Sequence, residues 1–242
     1  MRAIGILFAG LILSLRSHPQ AGAPADPRPG KGQDALIDVL EEELDHSMTH
    51  LVSEDGAKPY FLSYSVTDIA STSVRASLGA LRRNDAGRAR VLDVDLRVGD
   101  YALDNTYQIR GGADGGRLGR FFDASASVPL ENAPNAVKHT LWQSTDRAFK
   151  SAVERYQRVK TDLKTTVEEE SKAHDFSREE PSVHSEADAE LTLDRAQWAG
   201  RIRNVSRLAL KHPLIYDSTV AVLGSTENRY LVTSEGTRLK TR

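Results

Sequence analysis

Apolar residues recur every three or four positions from Leu36 through Ile37, Leu40, Leu44 and Met48 to Leu51, the spacing that lines one face of an α-helix. Asp34 stands where an N-cap belongs, and Asp38 places a negative charge in the first turn. A helix is therefore predicted from Asp34 to about Val52, ended by Gly56-Ala57-Lys58-Pro59. The period then changes to two. Tyr60, Leu62, Tyr64 and Val66 alternate with Phe61, Ser63, Ser65 and Thr67, and Val74, Ala76, Leu78 and Ala80 alternate with Ser73, Arg75, Ser77 and Gly79. In a third run Leu92, Val94, Leu96 and Val98 oppose Asp93, Asp95 and Arg97. One-sided alternation of this kind belongs to an antiparallel sheet with one wet face. Hairpin connections are predicted at Asp68–Ser71 and at Arg82–Arg88, which contains Asn84, Asp85 and Gly87.

Beyond Gly111-Gly112-Ala113-Asp114-Gly115-Gly116, a loop by its glycines, the helical period returns. Val137, Leu141, Phe149, Ala152, Tyr156, Val159 and Leu163 predict a long helix from about Asn135 to Leu163, with Trp142 and the later Trp198 read as core residues. Residues 164–192 are dense in charge, including Glu168-Glu169-Glu170, and read as a solvated helix end and linker. A third helix follows from Asp194 to Leu210, then strands at Ile215–Leu223 and Arg229–Thr233 around Gly224–Asn228. Thr237–Arg242 starts a further strand, which would be an open edge unless something pairs with it. The predicted fold class is α+β: an antiparallel sheet covered by an N-terminal helix, a long helix, then a second small helix-plus-hairpin α/β unit.

Composition refines this picture. The chain has 242 residues, 39% hydrophobic, 27% charged and only 6% aromatic, so its core must be largely aliphatic. Thirty-two basic and 34 acidic residues are interspersed, which offers no electrostatic footprint for nucleic acid. Met1-Arg2, the apolar run Ala3–Leu15 and the small-residue stretch Ala21–Ala25 read as an export signal, with cleavage after Ala25; an uncleaved anchor is the other reading of that run. There is no cysteine, so neither a disulfide nor a lipid-anchored cysteine is available. The expected organisation is a signal peptide over 1–25, a leader over 26–33, an N-terminal α+β domain over 34–133, the long helix over 134–163, a charged linker over 164–193 and an incomplete α/β unit over 194–242.

Candidate chemistry is sparse. His46 and His50 have the i, i+4 spacing of helical zinc ligands. Ser47, however, stands where a metalloprotease has its general-base glutamate, and His46 lies opposite the apolar stripe, so a solvated face is the better reading. The run Arg97, Gly99, Asp100, Asp104, Asn105 is the densest polar constellation and supplies the candidate site residues. Its carboxylates could serve as acid and base, while a strand end followed by an Asp/Asn turn explains the same residues structurally. Gly111–Gly116 lacks the Lys-Ser/Thr of a phosphate loop, and no Gly-x-Ser-x-Gly elbow exists. A hydrolase built on Asp93–Asp104 would lack a companion nucleophile or metal ligand spaced to help it.

Several segments together carry a resemblance. They are Leu40-Glu41-Glu42-Glu43-Leu44 with Ser47-Met48, Lys58-Pro59-Tyr60-Phe61-Leu62-Ser63-Tyr64, Ser73-Val74-Arg75-Ala76-Ser77-Leu78-Gly79, Arg97-Val98-Gly99-Asp100-Tyr101 with Asp104-Asn105, Asp175-Phe176-Ser177-Arg178-Glu179-Glu180-Pro181, and Asn228-Arg229-Tyr230 with Ser234-Glu235-Gly236. In order and spacing they resemble the N-terminal half of exported bacterial members of the TldD/PmbA family, which includes zinc metallopeptidases and was once described as modulators of DNA gyrase. The resemblance covers residues 34–242. It implies a catalytic zinc held by a His-Glu-x-x-x-His helix in a C-terminal domain; that motif does not occur here, and no family metal ligand maps onto this sequence. What the resemblance leaves for this chain is a non-catalytic region, inactive by itself, that helps form the dimer and the peptide cavity, as a truncated gene product or as partner to a catalytic subunit. The expectation is no cofactor in this chain, with zinc confined to the family's C-terminal domain. Its partners would be a TldD/PmbA-like catalytic subunit or a second copy, and an extended peptide, with no nucleic acid and no membrane contact after signal cleavage. The place expected is the periplasm. The alternative is a free-standing periplasmic peptide- or protein-binding module that uses an exposed sheet edge near Leu239.

Overall fold

A computed structural model describes residues 34–107, 126–164 and 174–242. The expected signal peptide, the leader, the Gly111–Gly116 loop and the Glu168–Glu170 run lie outside the described residues. The fold is α+β, as the patterning predicts. Helix α1 (Ala35–His50) is followed by strands β1 (Pro59–Ser77), β2 (Ala80–Val98) and β3 (Ala126–Ser127), helix α2 (Pro134–Leu163), strand β4 (Val183–Ser185), helix α3 (Arg195–Arg207) with a 3-10 turn at Leu208–Lys211, and strands β5 (Val220–Thr233) and β6 (Arg238–Thr241). The six strands form one sheet in the order β3-β2-β1-β5-β6-β4. It is mixed rather than wholly antiparallel, because β4 runs parallel to β6.

The chain divides into two compact units. The larger takes in the described residues up to Asp68, Ala89–Asp188 and Asn228–Arg242; the smaller comprises Ile69–Arg88 and Ala189–Glu227. In the larger unit α1 and α2 supply Leu36, Leu40, Leu44, Val137, Leu141 and Phe149 to one core with Leu62, Val66, Leu92, Leu96 and Val232 of the strands. Asp34 caps α1 as expected, its Oδ1 accepting the Leu36 amide at 3.2 Å. In the smaller unit Val74, Ala76, Ala199 and Ile202 form the core, with Trp198, Val220 and Val222 packed against it.

Two of the expected strand breaks do not exist. Asp68–Ser71 lies inside β1, and Arg82–Arg88 lies inside β2. The turn between them is Leu78-Gly79, with φ of 48° and 82°. Both residues are left-handed, as a two-residue turn of the I′ kind requires. Leucine suits that backbone poorly. Leu78→Asn is therefore expected to raise the unfolding free energy by about 1 kcal/mol in urea titration. Gly224–Asn228, read as a loop, is likewise interior to β5. Trp142 is exposed rather than core, because it sits one position from Leu141 and so about 100° off the buried stripe.

The C-terminal strand is not an open edge. Leu239 pairs with Leu231 on one side and His184 on the other. Basic side chains of β6 also bind the acidic face of α1: Lys240 Nζ lies 2.6 Å from Asp34 Oδ2, and Arg238 reaches Asp38 at 3.0 Å and Glu41 at 3.1 Å. The edge near Leu239 proposed for peptide capture is thus already occupied by the chain itself.

Within the core, Tyr64 is fully buried, its hydroxyl 2.6 Å from Thr145 Oγ1, and burial pushes its pKa up to about 12. Glu43 lies nearby on α1, buried, with Oε1 lacking a hydrogen-bond partner. Burial outweighs the attraction of His46 and Lys138 and raises its carboxyl above the ordinary value of 4.5. A raised folded-state value means stability is fullest below the unfolded pKa and is lost as pH rises through the folded one. Glu43→Gln is expected to remove this loss, so the stability difference between variant and wild type should grow in favour of the variant from about pH 4 to about pH 7 in urea titrations.

Candidate functional site

The structure gathers the candidate residues at the end of β2, in the larger unit. Gly99 turns the chain out of the strand with φ of 120° and forms an isolated bridge with Asp104. A Cβ there would meet Leu103 O at 2.4 Å and the Tyr156 ring at 2.8 Å. Asp100 makes the Asx turn that its sequence context suggests, Oδ1 accepting the amides of Ala102 at 2.8 Å and Leu103 at 3.0 Å. Asn105 binds Val98 twice, its Oδ1 accepting the Val98 amide at 2.7 Å and its own amide donating to Val98 O at 3.1 Å. Arg155 from α2 closes the loop by donating to Asn105 O and Tyr107 O.

Asp104 is the centre of this arrangement and has no exposed surface. Its Oδ2 accepts the Tyr60 hydroxyl at 2.7 Å and Arg97 at 3.1 Å, and its Oδ1 accepts the Thr106 amide at 2.5 Å. Burial pulls its carboxyl upward, but the bonds from Thr106, Tyr60 and Arg97 outweigh burial and hold it below the usual carboxylate range. Burial, and then the bond to Asp104, holds the Tyr60 phenol well above its ordinary value. Proton transfer at neutral pH needs groups poised near that pH. Asp104 and Tyr60 are displaced from it in opposite directions, and the oxygens of Asp104 are taken up by protein donors.

Segments remote in sequence complete the cluster. The Asp104 amide donates to Asp175 Oδ2 at 3.0 Å, and the Tyr101 hydroxyl donates to Glu235 Oε1 at 2.6 Å. Phe176 lies under the Arg97 guanidinium at 3.9 Å and meets Phe61 edge-on at 4.7 Å. Tyr60 and Tyr101 also meet edge-on, at 4.8 Å, and the Leu62 amide donates to Ser234 Oγ at 3.1 Å. The motifs around residues 58–64, 97–105, 175–181 and 234–236 therefore converge on one point and satisfy one another. Sequence reasoning had the five candidates and placed Tyr60, Asp175 and Phe176 only within segments of the resemblance, not as their partners, nor Glu235 as the partner of the adjoining Tyr101; separations of 44, 71 and 134 residues in the bonds above leave no periodic signal.

His46 and His50 are both exposed, their rings stacked at 4.3 Å, with His50 Nδ1 turned to His46 O at 2.8 Å. Among the described residues no three His, Cys, Asp or Glu side chains are grouped to hold a metal ion. No helix among the described residues is long and apolar enough to cross a membrane.

No family model matches the sequence, and no curated protein matches it. Among solved structures the fold is similar in part to TldE from Thermococcus kodakarensis, at 12% identity and a TM-score of 0.42 over 84% of this chain. It is similar to the same degree to two proteins named as modulators of DNA gyrase: one from Thermotoga maritima, at 13% identity and TM-score 0.42 over 83% of this chain, and one from Bacteroides thetaiotaomicron, at 12% identity and TM-score 0.42 over 84%. The chain spans only 36% to 37% of the length of these solved structures, so the likeness is to a part of each.

Proposed function

We propose that this chain is a non-catalytic scaffold module of TldD/PmbA type, exported to the periplasm, that assembles with a zinc-bearing catalytic subunit and contributes one wall of its peptide cavity. The observation that carries this reading is the state of the polar constellation. Arg97, Asp100, Asp104 and Asn105 are spent on holding the 99–107 loop and its neighbours in place. Side chains committed in this way build a rigid surface. The module would add no cofactor of its own.

Co-expression with a TldD/PmbA-family subunit that carries His-Glu-x-x-x-His tests the reading. The expected result is a stoichiometric complex by size exclusion with light scattering, cleaving peptides faster than the catalytic subunit alone. Co-purification of neither protein with the other, with cleavage by the catalytic subunit unchanged, would remove the assignment.

A further inference from the structure

The smaller unit contains a segment whose chemistry the scaffold reading does not use. Residues 195–216 include Arg195, Arg201, Arg203, Arg207 and Lys211 and no aspartate or glutamate. Helix α3 buries only Ala199, Ile202 and Ser206. On the exposed side and just beyond it stand Val205, Leu208, Leu210, Leu214, Ile215 and Tyr216, with Leu214 74% and Tyr216 88% exposed. Arg201 lies 5.1 Å from the Trp198 ring and Arg203 Nε points to Gly79 O at 3.4 Å; neither they nor Arg207 and Lys211 meet a carboxylate among the described residues.

Soluble chains rarely expose this much large aliphatic surface in one short stretch. The cations are interleaved with the apolar residues, so whatever covers the patch must be both apolar and negatively charged. We propose that residues 203–216 dock on an anionic lipid surface, with Leu210, Leu214, Ile215 and Tyr216 entering the headgroup region and Arg203, Arg207 and Lys211 facing the lipid phosphates. Two observations favour lipid over a protein groove. Beyond the 3-10 turn the chain from His212 to Thr219 belongs to no helix or strand; Asp217 and Ser218 tie its far end to Ser77 and Leu78, while Leu214, Ile215 and Tyr216 stay exposed ahead of that anchor rather than in the register a shaped groove would read. A fluid interface accepts such a segment, and tyrosine is at home there. This docking departs from the expectation that the mature chain makes no membrane contact, and it is independent of the scaffold assignment.

The absence of cysteine allows a site-specific test on the full chain. Leu214→Cys, and Ser151→Cys on the exposed side of α2 as control, are labelled with an environment-sensitive fluorophore. They are then mixed with vesicles of phosphatidylcholine alone or in equal parts with phosphatidylglycerol. The expected result is a blue shift at position 214 only, with the anionic vesicles only, and weakened by salt. Adding Arg207→Gln and Lys211→Gln should weaken binding by about twenty-five-fold, since each cation near an anionic surface contributes roughly five-fold. No shift at position 214 with anionic vesicles would overturn the proposal. So would a shift that follows protein concentration without vesicles, which would assign the patch to a second copy, or equal shifts at both positions.

Discussion

Asp104→Ala is expected to lower the unfolding free energy by about 4 kcal/mol, because it leaves two buried donors without an acceptor, at roughly 2 kcal/mol each. Arg97 keeps Asp95 at 3.1 Å, but the Tyr60 hydroxyl and the Thr106 amide lose their acceptor. The loss should be local before it is global. Amide exchange at Asn105 and Thr106 should accelerate in the variant under native conditions, while the α1 amides keep their protection. A change of under about 1 kcal/mol would show that the cluster is a surface ornament and not a lock. The pH dependence follows the same logic. Because the folded-state carboxyl of Asp104 is held below its ordinary value, its contribution is present above the unfolded pKa and is lost as pH falls through the folded one. The wild type, but not Asp104→Ala, should therefore lose this increment of stability on acidification below about pH 4.

The second large effect is expected at Asp68. Arg90 is 4% exposed and donates from Nε and Nη2 to Asp68 Oδ2 at 3.2 and 2.7 Å. Its remaining group binds Pro129 O at 3.0 Å and Asn132 Oδ1 at 2.8 Å, so one guanidinium ties β1, β2 and the turn ahead of α2 together. Asp68→Ala leaves that cation buried and short of its counter-charge, at a cost of about 3 to 5 kcal/mol in urea titration. Asp68→Leu combined with Arg90→Met should recover most of the loss, because an apolar pair of similar volume carries no desolvation penalty. Equal losses in single and double variants would mean that the pair matters through its shape and not its charge.

These two sites show what the sequence could and could not tell. Helix α1 was legible because its apolar stripe and its cap at Asp34 agree with one another. The second half of β2 was legible because Leu92, Val94, Leu96 and Val98 are buried on one face. Its first half was not. From Ala80 to Ala89 every residue is exposed, so no apolar alternation exists to be read, and Asn84, Asp85 and Gly87 look like a turn. Leu78 hid the true turn, since an apolar side chain at positive φ resembles one more strand position. For the site, the sequence offered a strand end followed by an Asp/Asn turn, and Asp100 supplies such a turn, a local device whose donors lie two and three residues away. The partners of Asp104 come from β1, from Arg97 and, through Asp175, from the segment after α2, and only the folded chain brings them together. Asp68 gave no signal either. It falls in a polar stretch that reads as a connection, and its partner Arg90 is 22 residues away.

The account rests on the polar cluster being a structural lock in a chain that does no chemistry by itself. The most direct measurement loads the purified full-length chain with excess zinc, removes unbound metal, and then determines both bound zinc and cleavage of a peptide library. The account predicts substoichiometric zinc and no cleavage, in the wild type and in Asp100→Asn alike. Stoichiometric zinc together with cleavage that Asp100→Asn abolishes would contradict it.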